Sequence, residues 1–304
     1  MGTTVNSTLL HRNTPKEPKK KKTFPLEVPL YMGPITFIVG VFVFAPLLII
    51  LFYSFLKTGN YGEIVYEFTL KNISAILGAG YGGVFLTSFY LAFQTNVICL
   101  LVGYPLAYYI ARYGGQYKVL LISMIIIPSW VAYLIRLYAL KTIAGNKGLI
   151  NTLLLNLGII SEPLEILYTS FIVMVGLVYT WLPFMVLPLH ASLEGLEPAL
   201  LEAATDLGAS PVRRFFRVIL PLTRGGVIAG SILVFIPTLG DWLVPALLGG
   251  AKVMMVGNLV AFQFTVAGNI PTGSSLAIML AATLILTLYL AIKWGGKEAM
   301  ERIV

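Results

Sequence analysis

Charge is scarce in this chain: only 11% of its 304 residues are Asp, Glu, Lys or Arg, where a soluble domain carries roughly 25%. Much of the folded surface must therefore meet something other than water. Cysteine is scarcer still. The single Cys99 lies inside an apolar stretch, so no intramolecular disulfide and no cysteine-built metal site can form, and it reads as a small buried hydrophobe. The two histidines, His11 and His190, have no metal-ligand neighbours in the sequence. An HExxH pair, a GxSxG turn, clustered carboxylates and a Walker phosphate loop are all missing. Those absences argue against a membrane-embedded enzyme and put any ATP hydrolysis on another chain.

What is abundant is apolar. Hydrophobic residues make up 58% of the sequence, with a mean hydropathy of +0.87. Six long runs stand out, at about 30–56, 83–111, 119–140, 169–190, 225–248 and 274–294. Each can cross a hydrocarbon core of ~30 Å as a helix, and in lipid the helix satisfies its own backbone. The short alternating segments of a β-barrel are missing. The expectation is an all-α integral membrane protein with about six transmembrane helices. The polar, Pro- and Lys-rich residues 1–29 read as a disordered basic tail, 30–294 as the membrane domain and 295–304 as a second tail. The first run is too long for a signal-peptide core and no small-residue cleavage site follows it, so it reads as an uncleaved span.

The net charge of +8 does not point to nucleic acid, because the basic residues lie between the runs. With the N-terminus inside, fifteen Lys and Arg fall in inside segments and five in outside loops (Lys57, Lys71, Lys141, Lys147 and Lys252). That asymmetry predicts both termini in the cytoplasm. The outside loops 142–168 and 249–273 each contain an apolar stretch that can form a short interfacial helix.

The loop between the fourth and fifth runs, 191–224, carries the most specific signal. Pro198 suits a first helical turn, Gly208 a C-terminal left-handed position, Ser210 an N-cap and Pro211 the next first turn. Two short amphipathic helices around a turn follow. Leu200, Ala203, Ala204 and Leu207 make the first apolar stripe, with Glu202 and Asp206 four apart on another face; Val212, Phe215, Phe216 and Ile219 make the second, with Arg213, Arg214 and Arg217 opposite. By physics alone such an elbow either lies on the membrane or is held in a groove of a partner.

Glu202-Ala203-Ala204, Gly208 and Leu220-Pro221 fall in the register of the cytoplasmic EAA loop of ABC importer permeases, which this segment resembles, with Val218 standing at a position usually held by Ile. The resemblance covers nearly the whole chain after residue 30. Gly103-Tyr104-Pro105-Leu106-Ala107-Tyr108, Ile135-Arg136-Leu137-Tyr138, Asn146-Lys147-Gly148-Leu149-Ile150-Asn151, 182–189 and 247–252 look like the spermidine/putrescine branch. The resemblance implies a type I ABC importer permease fold. It also implies three partners: a cytoplasmic ATPase dimer that carries ATP and Mg, a second homologous permease and an extracytoplasmic substrate-binding protein. The chain itself is expected to hold no cofactor and no metal. In that family the loop docks into a cleft of the ATPase, which assigns coupling to Glu202, Ala203, Ala204 and Gly208, and less directly to Asp206, Arg213, Arg214 and Arg217. A departure at Ala267-Gly268-Asn269-Ile270-Pro271, where an Arg-Asp-Trp-Pro-like element is usual, leaves iron(III), thiamine, aminophosphonates and opines open beside polyamines.

Charges inside apolar runs cost about 2.5–3.5 kcal/mol each on insertion scales and need a reason. Asp241, with Trp242 beside it, either faces a cation pathway, pairs with Arg136 or caps a helix broken near Pro237 and Gly240. Trp130, Tyr133, Tyr138, Tyr179, Trp181 and Trp242 either form an interfacial belt or offer cation–π faces to an alkylammonium substrate. Gln94 and Asn96 read as interhelical hydrogen-bonding groups, with substrate contact as the alternative. A self-sufficient secondary transporter or channel is the competing function; it explains the runs and Asp241 but not the elbow.

Overall fold

A computed structural model describes residues 27–59, 63–78 and 80–295. The tail 1–26 with His11, Arg12 and its lysines lies outside the described residues, as do Lys297 and Arg302. The chain divides at Leu48 into two compact units. The first contributes most of helix α1, Glu27–Ser54, which contains an apolar segment of mean hydropathy 2.6 whose side chains are exposed nearly all round.

The second unit begins with the last turn of α1 and an antiparallel hairpin, β1 (Leu56–Thr58) with β2 (Ile64–Phe68). This short hairpin is a minor addition to a chain that is otherwise helical, as expected; its few residues are too short a signal to register beside the long apolar runs. The Lys57 ammonium bonds Glu67 at 2.7 Å across it and holds that carboxyl below its usual range. Next come α2 (Lys71–Leu77) and the long α3 (Gly82–Tyr113).

The third apolar run is not one straight span. A 3₁₀ turn at Gly115–Tyr117 leads into α4 (Lys118–Trp130), the backbone turns extended at Val131, and α5 (Tyr133–Ala144) with α6 (Leu149–Asn156) leaves at 90°. Pro128 sits in the last turn of α4, where its ring and missing N–H weaken the helix. Within α6, buried Asn151 ties the flanking loops together through the Gly145 carbonyl and both backbone groups of Leu164.

Helix α7 (Ser170–Glu194) is the half-buried axis of the unit. The elbow follows as α8 (Pro198–Asp206) and α9 (Pro211–Arg214), continued through a wide π turn (Phe215–Ile219) into α10 (Leu220–Leu222). Then α11 (Arg224–Gly240) departs at 67°. Beyond Asp241 a second π turn (Pro245–Gly249) leads to α12 (Val256–Thr265) and α13 (Ile270–Gly295). The fifth run 225–248 is thus broken at Asp241–Trp242 and helical again from Leu243, the break that Pro237 and Gly240 announced. Short helices α6 and α12 do form in the loops expected to hold them.

Among the described residues four helices are long and apolar enough to span a membrane, or up to six when each bent pair counts as one span. Helices α3, α7 and α11 pack together closely because small residues face their neighbours. A side chain at Gly226 would meet the Pro188 carbonyl at 2.7 Å, and one at Gly230 would meet Met185 Sδ at the same distance. Such close backbone approach is how helices associate where lipid competes for apolar surface. Cys99, Ala107, Met185, Val186, Leu189 and Val234 fill the core between these helices.

Candidate coupling elbow and cation site

The elbow forms from local signals. Pro198 and Pro211 open their helices, where their absent N–H groups cost nothing. Gly208 has φ +76°, a left-handed conformation that favours glycine. Around it Ala209 N–H donates to Ala204 O at 3.0 Å and Gly208 N–H to Thr205 O at 2.9 Å, the paired bonds of a Schellman cap. The Ser210 hydroxyl accepts from Arg213 N–H at 3.3 Å and starts the next helix. Arg214 Nη1 reaches back to Thr205 Oγ1 at 2.8 Å, fixing the angle between the two helices.

The two apolar stripes of the elbow are oriented differently. Leu200 and Leu207 are exposed, Leu207 by 88%, and Ala203 is exposed beside them. In the second stripe Phe215 and Ile219 turn into the core, while Val212 and Phe216 turn out. The amphipathic pattern identified the helices, but π-helical winding after Arg214 rotates the second stripe. Glu202, Asp206, Arg213 and Arg217 are exposed, and Ala204 and Arg214 are partly covered. The result is a projecting surface with apolar side chains outward and charges around them.

The base of the elbow is fixed. Arg112 Nη2 donates to the Leu196 carbonyl at 3.2 Å, and Glu194 accepts from Lys118 Nζ at 2.7 Å with His190 Nε2 at 3.3 Å. Buried Tyr104 and Thr223 share a hydrogen bond of 2.7 Å. Sequence reasoning missed Tyr104 and Thr223. Tyr104 stands in the quoted Gly103-Tyr104-Pro105 stretch, but no local pattern links it to a threonine 119 positions away.

The second site lies where α11 stops. Asp241 is 6% exposed and its Oδ1 accepts from Leu243 N–H and Val244 N–H, both at 3.1 Å. That is a side-chain cap on the broken helix. Its Oδ2 accepts from Tyr133 Oη at 2.6 Å and from Trp181 Nε1 at 3.4 Å. No ion pair joins Asp241 to Arg136 among the described residues. Arg136 instead lays its guanidinium over the rings of Tyr133 at 5.8 Å and Tyr179 at 5.6 Å, with a buried Nε that bonds nothing. Arg136, Tyr133 and Trp181 line a cleft of about 440 Å³ with Trp130, Thr180 and Phe184. Asp241 stands behind Tyr133 and Trp181.

Of the expected pathway residues, the fold brings Asp241, Trp181 and Tyr179 to one locus and sets Trp130 at its rim. It leaves Tyr138 and Trp242 exposed and apart from the cleft. Gln94 and Asn96 do not bond between helices: neither side chain makes a hydrogen bond among the described residues, Asn96 Oδ1 is buried without a partner, and Asn96 lines an apolar crevice with α11 and α13. No cluster of three or more His, Cys, Asp or Glu able to hold a metal exists among the described residues.

The described residues form a bundle of bent apolar helices, and this fold recurs in solved structures. A chain in the crystal structure of a bacterial alginate ABC transporter, in complex with alginate pentasaccharide-bound periplasmic protein, shares it: the TM-score is 0.68 over 90% of this chain and 96% of that one, at 14% identity. A bacterial ABC transporter involved in the import of alginate matches similarly, with a TM-score of 0.66 over 88% of this chain and 95% of that one at 14% identity. At that identity the likeness is one of fold.

Residues 103–293 match the family of binding-protein-dependent transport system inner membrane components, and the chain belongs to that family. It is a multi-pass membrane protein. Over 263 residues it is 43% identical to the spermidine/putrescine transport system permease protein PotB of Haemophilus influenzae, covering 86% of this chain and 91% of that protein. The PotB of Escherichia coli is 40% identical over 86% of this chain and 95% of its own length. The inner membrane ABC transporter permease protein YdcU of Escherichia coli is 33% identical over 86% and 87%.

Proposed function

We propose that this chain is the permease subunit of an ATP-driven importer for polyamines such as spermidine and putrescine, with its elbow and both termini on the cytoplasmic side. The observation that carries the reading is the elbow: two capped helices that project apolar side chains from a base tied down by Arg112, Tyr104 and Phe215. A helix pair lying passively on a membrane gains nothing from a fixed base, whereas a pair gripped by a moving partner needs one. A secondary transporter leaves the surface unexplained. The partners are an ATPase dimer that carries ATP and Mg, a second homologous permease and an external binding protein. The names of the PotB relatives support the substrate class.

The elbow and the Asp241 locus stand at opposite ends of one rigid element. Helix α11 has 17 residues, about 25 Å at 1.5 Å each. When the ATPase subunits close on ATP, the gripped elbow moves. The corner at Thr223 turns, and α11 shifts along α7 over the close contacts at Gly226 and Gly230. At its far end the shift alters how Tyr133 and Trp181 screen Asp241. This is an interface with two packings switched by a partner.

The chemistry at Asp241 suits a cation. A buried carboxylate held only by neutral donors has lost hydration without gaining a counter-charge. An alkylammonium group supplies that charge, and the tyrosine and tryptophan faces beside it attract cations. Arg136 lies over the rings of Tyr133 and Tyr179 and not against the carboxylate, so it leaves Asp241 without a counter-charge.

The test is reconstitution with the cognate ATPase, second permease and binding protein in vesicles. ATP-dependent uptake of labelled spermidine is the expected result. Uptake by this chain alone, without ATPase, overturns the reading.

A further inference from the structure

We propose that Tyr104 is a positioning residue for energy coupling, a buried strut that makes the corner between the elbow and α11 move as one body with α3. The proposal rests on the coupling role of the elbow given above.

The corner is a weak point in the backbone. Pro221 has no N–H to donate, and the wide turn Phe215–Ile219 just before it lets Leu220 N–H bond the Phe215 carbonyl instead. The chain then bends by 67° at Thr223. Left alone, such a joint would absorb motion of the elbow and pass little of it to α11.

Tyr104 spans the joint. Its ring meets the ring of Phe215, the first residue of the wide turn, edge-on at 5.3 Å. Its hydroxyl lies 2.7 Å from Thr223 Oγ1, past the last residue of that turn. The direction of this bond follows from counting protons. Thr223 Oγ1 donates its single proton to the Ile219 carbonyl at 2.8 Å, so it can only accept from Tyr104. One side chain of α3 therefore holds both ends of the turn.

The strut has a firm footing. Tyr104 is 6% exposed and Thr223 is fully buried, so water does not compete for the bond. Beside Tyr104, Gly103 lets α3 approach α7 so closely that a Cβ there would stand 3.2 Å from Met185 Cγ. Outward of the joint, α9 and the wide turn carry Val212 and Phe216 on the exposed face of the elbow. Force applied to that face reaches α11 through the peptide chain and α3 through Tyr104.

The experiment uses the complete transporter with Tyr104→Phe, Thr223→Val, the double variant and Thr223→Ser. Tyr104→Phe keeps the ring contact and removes only the donor; Thr223→Val removes the acceptor; Thr223→Ser keeps it. The readout is the ratio of ATP hydrolysis with loaded binding protein to hydrolysis without it, and the number of substrates imported per ATP, in complexes of equal ATPase content. We expect Tyr104→Phe and Thr223→Val each to lower both ratios by about fivefold, the scale of one buried hydrogen bond. The double variant should be no worse than either single, because both remove one interaction, and Thr223→Ser should match the unmodified protein. Ratios unchanged in Tyr104→Phe and Thr223→Val, or losses that add in the double variant, overturn the proposal. Gly208→Trp separates this failure from failure of the coupling reading: if that variant still imports normally, the elbow is not the coupling element at all.

Discussion

The two ends of α11 handle unsatisfied groups in opposite ways. At the elbow, apolar side chains face outward uncovered while nearly every backbone end is capped within the loop. At Asp241, a polar side chain faces inward, and its caps come partly from its own chain and partly from Tyr133, 108 positions away. The first arrangement is stable alone and incomplete only at its surface, which suits a large protein partner. The second is closed at its surface and incomplete in charge, which suits a small cation passing through.

The largest break in that comparison comes from Gly208→Trp. Nothing lies within 4 Å of a Cβ built there, so the fold has room, but φ of +76° strains any L side chain and the indole would stand in the partner's path. Uptake should fall to background while the chain still inserts, checked by quantifying the membrane-bound protein and the ATPase that copurifies with it. Asp241→Asn comes next. Asparagine Oδ1 keeps the bonds from Leu243 and Val244, but the charge is gone. Uptake of a polyamine should drop by about tenfold to a hundredfold, the value of a charge-assisted hydrogen bond, with ATPase binding intact. Unchanged kinetics would leave Asp241 a cap alone. The smallest effect belongs to Thr205→Val, which frees Arg214 and loosens the angle of the elbow. ATPase affinity should weaken about twofold to fivefold, measured by titrating ATPase onto vesicles.

The same contrast explains what could be read from sequence. Pro198, Gly208, Ser210 and Pro211 revealed the elbow because each acts on its own few residues, and the Glu202-Ala203-Ala204 register resembled a known loop. The inward turn of Phe215 away from Val212 and Phe216 was hidden, since it depends on the π turn before Pro221. The break at Val131–Ala132 was hidden as well: a helix apolar on every side shows no period whose loss would mark a bend. Asp241 was conspicuous as a charge in an apolar run. Its partners were not, because Tyr133 and Trp181 reach it only through the packing of three segments.

Cys99 is the only cysteine and is fully buried, so Leu207→Cys would introduce a single accessible thiol at the tip of the elbow. Labelling that thiol with a membrane-impermeant maleimide tests the account most directly. Rapid labelling in inside-out vesicles, blocked when the ATPase is added back, is the predicted result. Labelling from the outer face of intact cells, or labelling that the ATPase leaves unchanged, would contradict it.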